Sequence, residues 1–282
     1  MNDNMSYKTQ QGRDEVIEYY DMLLEKLTIS YERLNIDTHH GNTFCLAAGN
    51  VSAPPMVLLH GSSMNSSMWV SDILKYYQTY RVYALDIPGE AGRSDERQLP
   101  FTTSDLDDWL YDVFSKLSIN KAVVIGASLG AWISTKFAIR HPEKIYKLVL
   151  LCPAGIGNQN KNFIFTALFY MLFGEKGRRK LFKIINGNVD MPEIILKYQA
   201  LITINFNSRR EPIPIFSDDE LKRLTMPVFL FVGAKDIILH SIETADRLKR
   251  LVPNAKINVL SEAGHSLTNL TDTILEQINK EG

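Results

Sequence analysis

Short, continuous apolar runs recur along the chain and predict strands that are buried on both faces of a sheet. Six such runs are PPMVLLH at 54–60, YRVYALD at 80–86, KAVVIG at 121–126, KLVLLC at 147–152, PVFLFVG at 227–233 and AKINVL at 255–260. Two earlier strands are predicted near 31–38 and 43–49, joined by a turn at Gly41-Asn42.

Apolar residues at helical spacing lie before and between these runs. They predict an amphipathic N-terminal helix over 13–27 and helices over 103–118, 129–141 and 241–251. A last helix carries Leu267, Leu270, Ile274, Leu275 and Ile278. Because strand and helix alternate from residue 54 onward, we expect the α/β class, with a mostly parallel sheet covered by helices on both faces.

One interval, from Cys152 to Pro227, contains no convincing strand. Its 160–205 segment is helical in pattern and rich in aromatic residues and Met. We interpret 155–215 as a helical cap inserted into a core formed by 1–154 and 216–282. Most of its apolar face should pack on that core, above the carboxyl ends of the strands, where open α/β sheets bind ligands.

Composition and charge exclude several classes of protein. The 282 residues are 45% hydrophobic and 22% charged with a formal net charge of −1, so no basic excess favours a nucleic-acid partner. The apolar stretch FIFTALFYMLF at 163–173 is too short for a membrane span. RRK at 178–180 is the densest basic patch, and we interpret it as a solvated helix face.

The polar N-terminus and the cysteines indicate in which cellular compartment the protein works and whether it binds a metal. The N-terminal segment has no apolar core of a secretory signal. Cys45 and Cys152 both stand in apolar, strand-like segments, which favours buried thiols in a reducing compartment. We therefore expect a cytoplasmic protein, and since no C-x-x-C motif or His/Cys cluster is present, we expect no metal and no cofactor.

The motif GASLG joins a predicted strand to a predicted helix. Ser128 stands between Gly126 and Gly130, a spacing typical of a sharp turn that presents a nucleophilic serine at the top of a sheet. A Cβ at either glycine would collide with the neighbouring strand or helix. An ordinary glycine-rich turn is the alternative interpretation.

A serine nucleophile needs a base and an acid that orients the base. His265 follows the 255–260 strand and Asp236 follows the 227–233 strand, so both should project over the strand ends near Ser128. The chain order Ser, Asp, His is one of the known triad orders. Each residue alone could be structural, and the rivals are His60, His141 and His240 as bases and Asp86 as the acid.

Acyl transfer also needs N–H donors for the developing oxyanion. The backbone N–H of Leu129, the residue after the serine, is one candidate. The second candidate is the N–H of Ser62 in HGSS, where Gly61 would allow a sharp turn. A plain turn is the other interpretation of HGSS.

Taken together, GASLG, HG, GAKD and AGH resemble the α/β-hydrolase family, and the resemblance runs from about residue 30 to the end. APPMVLLHG at 53–61 and FSDDELKRLTMPVFLFVG at 216–233 are similar to carboxylesterases of the naproxen-esterase type. So is YRVYALDIPGEAGRSD at 80–95, which has one residue more between its glycines than the usual D-x-P-G-x-G-x-S pattern.

The resemblance implies a serine hydrolase that cleaves a small, moderately apolar carboxylic ester through an acyl-enzyme. Other activities on the same triad stay open: C–C bond hydrolysis, thioester hydrolysis and acyl transfer. A non-catalytic ligand receptor on the same fold is a candidate from another class. Either a monomer or a homodimer is compatible with the sequence.

Overall fold

The computed structural model describes residues 6–280 and contains an eight-stranded sheet in the order β1-β2-β4-β3-β5-β6-β7-β8. The first two strands form an antiparallel hairpin, β2 pairs antiparallel with β4, and all remaining pairs are parallel. The predicted mostly parallel sheet is therefore confirmed. The strands are Tyr31–Thr38 (β1), Gly41–Ala48 (β2), Pro55–Leu59 (β3), Arg81–Leu85 (β4), Ala122–Ala127 (β5), Ile145–Leu151 (β6), Val228–Gly233 (β7) and Lys256–Leu260 (β8).

Ten α-helices lie among the described residues, with short 3₁₀ turns at Ser66–Trp69 and Pro142–Lys144. The helices are Gln10–Leu24 (α1), Val70–Tyr76 (α2), Asp105–Lys116 (α3), Leu129–Arg140 (α4), Phe163–Met171 (α5), Gly174–Ile185 (α6), Glu193–Asn205 (α7), Asp218–Leu221 (α8), Ser241–Leu251 (α9) and Thr271–Asn279 (α10). None of the helices in 6–280 is long and apolar enough to cross a membrane.

Successive strand residues point to opposite faces, and this alternation builds two separate cores. In β3, Val57 and Leu59 join a cluster with side chains of α3, α4 and α9, whereas Met56 and Leu58 join a cluster with α1, α2 and α10. All four residues are fully buried. Helices therefore cover both faces of the sheet, as the continuous apolar runs predicted. The prediction is wrong for AKINVL, because β8 is an edge strand and none of its residues is buried.

Several boundaries differ from the predicted ones. The β1–β2 turn lies at His39-His40, so Gly41 begins β2. α1 begins at Gln10, three residues before the predicted start, because the Thr9 hydroxyl accepts the Gly12 N–H at 3.0 Å and caps the helix. The last helix begins at Thr271 and so excludes two of the leucines assigned to it. The short α2 was not predicted.

The connection between β6 and β7 contains α5, α6, α7 and α8 and contributes no strand to the sheet. We call residues 155–215 the insertion; its role as a cap stays a prediction. The end of α6 lies on the loop after β8, because the His265 N–H donates to the Ile185 carbonyl at 2.8 Å. A Cβ on Gly264 would stand 2.2 Å from that same carbonyl oxygen, so the two segments meet closely.

Candidate active site

Ser128 stands at the junction of β5 and α4 in a strained conformation. Its φ is 49° and its ψ is −106°, a region that residues with a Cβ rarely adopt. A Cβ on Gly126 would meet the Gly130 carbonyl oxygen at 2.4 Å, and one on Gly130 would meet the Leu59 carbonyl oxygen at 2.3 Å. The predicted collisions are confirmed, and the tight turn projects the serine from the end of the strand.

The structure brings Ser128, His265 and Asp236 together in one hydrogen-bonded chain. The distance from Ser128 Oγ to His265 Nε2 is 3.0 Å, and the distance from His265 Nδ1 to Asp236 Oδ2 is 2.7 Å. The residues come from the loops after β5, β8 and β7, whose carboxyl ends share one edge of the sheet. This is the arrangement in which an imidazole can accept the serine proton while a carboxylate holds the ring.

The Asp236 carboxylate is held in place and in its charged form. Its side chain is fully buried, and Oδ1 accepts the N–H groups of Ile238 at 2.7 Å and Leu239 at 3.0 Å. Burial acts to raise the pKa of Asp236, but the hydrogen bond and charge of His265 and the two backbone donors outweigh it and lower the pKa below its ordinary value. Asp236 is therefore ionised at neutral pH.

The loop after β3 approaches the serine. A methyl group built on Gly61 would stand 3.6 Å from Ser128 Cβ, an ordinary van der Waals distance, and Gly61 does not have a positive φ. The left-handed residue of the loop is Ser63, with φ 55°, and the turn expected at Gly61 stays a prediction. Ser62 is exposed, and Leu129 is the first residue of α4, where N–H groups have no partner within the helix. Their roles as oxyanion donors stay predictions.

A buried ion pair that the sequence analysis missed holds this loop. The Ser63 N–H donates to Glu90 Oε2 at 2.6 Å, and Arg209 Nε donates to Glu90 Oε1 at 2.7 Å. The Glu90 side chain is fully buried and that of Arg209 is 6% exposed. Arg209 also donates to the carbonyls of Leu99 and Pro88. The sequence contained one signal of this contact: PGEAG has one residue more than the usual pattern between its glycines, and Glu90 lies in that interval.

The rival residues have structural partners. His60 is fully buried; its Nε2 accepts the Ile87 N–H at 2.9 Å, and burial lowers its pKa. Asp86 Oδ1 accepts from Ser66 N–H and the Tyr20 hydroxyl. Through these hydrogen bonds His60 and Asp86 hold the loops after β4 and β3 in place.

The thiol of Cys152 lies beside Asp236 and His265. Ligand atoms of Cys152, Asp236 and His265 all lie within 4.8 Å of one another, a group that sequence spacing did not reveal. Metal binding by a cysteine requires the thiolate. Burial and then the charge of Asp236 raise the pKa of the Cys152 thiol, which disfavours that form.

Comparison with known proteins identifies the family. Residues 54–172 match the family model described as alpha/beta hydrolase fold. The chain is 30% identical to nap, an uncharacterized carboxylesterase of Bacillus subtilis, over 94% of this chain and 92% of that protein. It is 28% identical to Bacillus subtilis carboxylesterase YbfK with the same coverage. The crystal structure of Bacillus subtilis naproxen esterase superposes with a TM-score of 0.85 at 28% identity, covering 97% of this chain and 99% of that one. With its parallel sheet, its serine turn and these relatives, the chain belongs to the α/β-hydrolase family.

Proposed function

We propose that this protein is a serine hydrolase that cleaves a small, moderately apolar carboxylic ester through an acyl-enzyme on Ser128. The observation that carries the proposal is the chain of hydrogen bonds from Ser128 Oγ through His265 to the buried Asp236 carboxylate. The Bacillus carboxylesterases named above support an ester as the substrate. Near-neutral net charge and the apolar insertion favour an uncharged substrate.

The proposed reaction begins when His265 Nε2 accepts the Ser128 proton as Oγ attacks the ester carbonyl carbon. The resulting oxyanion accepts hydrogen bonds from the N–H groups of Ser62 and Leu129, and removal of one such donor typically lowers turnover ~10²–10³-fold. The imidazolium, stabilised by Asp236, then protonates the leaving alcohol. A water molecule attacks the acyl-enzyme with His265 again as base, which releases the acid and restores Ser128.

The proposal extends to the role of the insertion, the cellular location and the oligomeric state of the protein. We propose that residues 155–215 act as a cap that restricts access to the serine, supported by the contact of Ile185 with the His265 backbone. Two buried cysteines without a disulfide support a cytoplasmic location. A monomer or homodimer, without a nucleic-acid partner, stays our expectation.

Hydrolysis of p-nitrophenyl esters of increasing acyl length tests the mechanism. We expect the wild type to show a burst of p-nitrophenol followed by turnover, and Ser128→Ala to show neither while it retains a wild-type circular dichroism spectrum. The chain-length profile then measures the size of the acyl pocket. Turnover in Ser128→Ala equal to wild type would exclude the serine mechanism. Ligand binding without turnover in both proteins would identify a receptor.

A further inference from the structure

The stretch from Ile164 to Phe173, which covers most of α5 and the turn after it, exposes an apolar surface that we call the apolar stripe. Among the described residues, ten large apolar side chains are more than half exposed, and six of them lie in this stretch. No residue of α5 is buried. The six are Ile164, Phe165, Leu168, Phe169, Leu172 and Phe173.

Four of these side chains belong to α5, and Leu172 and Phe173 follow in the turn after it. The six form two adjacent rows spaced four residues apart, starting at Ile164 and at Phe165, and rows of this spacing share a helix face. Monomeric soluble proteins rarely expose large contiguous apolar patches, and such patches usually mark an interaction site. The stripe therefore requires an explanation beyond packing on the core.

Basic residues flank the stripe along the chain. Between residues 161 and 183 the chain has six Lys and Arg residues against one Glu, although its formal net charge is −1. Lys161, Lys176 and Lys180 are exposed and form no ion pair within the described part of the chain. Arg179 and Lys183, in contrast, pair with acidic residues of the insertion.

We propose that the apolar stripe and these three lysines dock the protein on an anionic lipid surface. Apolar side chains on a short helix can enter the boundary between headgroups and acyl chains, while lysines beside it attract anionic headgroups. α5 has nine residues, so it would lie in the surface without crossing it.

The basic residues near the stripe argue against a second copy of this chain as the partner that covers it. A symmetric dimer through the stripe would bring the basic residues of both protomers into one interface, and like charges within an interface oppose association. An anionic surface instead complements both the apolar and the basic parts.

The segment that leads into the stripe is anchored beside Asp236. The Asn160 N–H donates to the Ile238 carbonyl at 2.8 Å, and its side-chain amide donates to the Ile237 carbonyl at 3.0 Å, directly after Asp236. Docking here would bring the serine close to esters dissolved in the lipid. This consequence for the substrate rests on the proposed ester hydrolysis, whereas the docking itself does not.

Co-sedimentation with vesicles tests the proposal. The full chain with Ser128→Ala is used, so that binding is measured without any hydrolysis of lipid. We expect partition onto phosphatidylcholine–phosphatidylglycerol vesicles that weakens with salt and is far lower for phosphatidylcholine alone. Lys176→Gln with Lys180→Gln should lower it about 25-fold, given about fivefold for each lysine. Phe165→Ser with Leu172→Ser should lower it roughly tenfold or more.

Matched controls replace other exposed apolar residues and other exposed lysines outside the stripe. Val51→Ser with Ile242→Ser, and Lys116→Gln with Lys249→Gln, should bind as the parent does. No binding to anionic vesicles, or equal losses in the stripe and control variants, would overturn the proposal. So would sedimentation showing a dimer that Phe165→Ser with Leu172→Ser dissociates, since a second copy would then cover the stripe. Ester turnover is measured separately, so its absence leaves the docking result unaffected.

Discussion

Asp236 acts in the proposed chemistry through a single hydrogen bond to His265, and a neutral amide tests that role. Asp236→Asn keeps the size of the side chain but cannot stabilise the imidazolium and favours the wrong tautomer of the ring. We expect kcat for a p-nitrophenyl ester to fall about 10⁴-fold. Asp246→Asn, at an exposed position on α9, should leave kcat unchanged. A loss of less than about tenfold in Asp236→Asn would assign the orienting role to another group.

Cys152 gives a prediction about pH. Burial, followed by the negative charge of Asp236, raises the pKa of its thiol, so the reactive thiolate forms only at a pH well above the ordinary value of about 8.5. We therefore expect iodoacetamide at about pH 8 to leave Cys152 unmodified in the folded protein and to alkylate it in urea. Mass spectrometry of peptides distinguishes it from Cys45, which is also buried and serves as the control. Alkylation of Cys152 alone in the folded protein would contradict the prediction.

Among the elements of the fold, the loop after β3 is fixed by the ion pair between Glu90 and Arg209. We predict that Glu90→Gln lowers the free energy of unfolding by about 3 kcal/mol, because it leaves Arg209 buried without its counter-charge. It should also lower kcat by up to about 10²-fold, because the loop that carries Ser62 shifts relative to Ser128. KM should change little.

A variant of a second buried acid serves as a control, because it loses stability without moving the loop that carries Ser62. Asp107 is fully buried on α3 and pairs with Arg140 at 2.6 Å, at the end of α4 distant from Ser128. Asp107→Asn should therefore lower the free energy of unfolding, by less than Glu90→Gln because the Arg140 side chain is 40% exposed, and it should leave kcat unchanged. Equal losses of kcat in Asp107→Asn and Glu90→Gln at equal folded fraction would mean that Glu90 acts through stability alone.

The elements that sequence could predict were those specified locally. The glycines around Ser128 lie within five residues, and each apolar run predicts its own strand, so the serine turn and the sheet follow from short segments. Glu90 and Arg209, in contrast, meet across 119 positions of the chain, and no periodicity reports such a contact. The left-handed residue of the loop after β3 was also not predictable, because it is Ser63 and not the neighbouring glycine, the residue type that most readily adopts a positive φ.

For the whole molecule, the N-terminal helix joins the insertion to the core. α1 packs one side on the sheet through Val16 and Tyr20, which are fully buried. On α7 of the insertion, Tyr198 stacks on Tyr19 of α1 with ring centroids 5.2 Å apart. The Tyr198 hydroxyl accepts from Asn65, in the loop after β3, at 2.5 Å. The insertion, the N-terminal helix and the loop beside Ser128 therefore form one connected unit.

Tyr19→Ala tests this connection, because it removes both the stacking on Tyr198 and the hydrogen bond from the Tyr19 hydroxyl to the Ile194 carbonyl. An aromatic pair contributes about 0.5–1.5 kcal/mol, so amide hydrogen exchange in α7 should become roughly two- to tenfold faster. Exchange in α4, which lies on the other face of the sheet, should not change. Tyr111→Ala, a half-exposed tyrosine of α3, should leave α7 unaffected. If Tyr19→Ala accelerates exchange equally in α4 and α7, then α1 stabilises the fold as a whole and does not specifically hold the insertion.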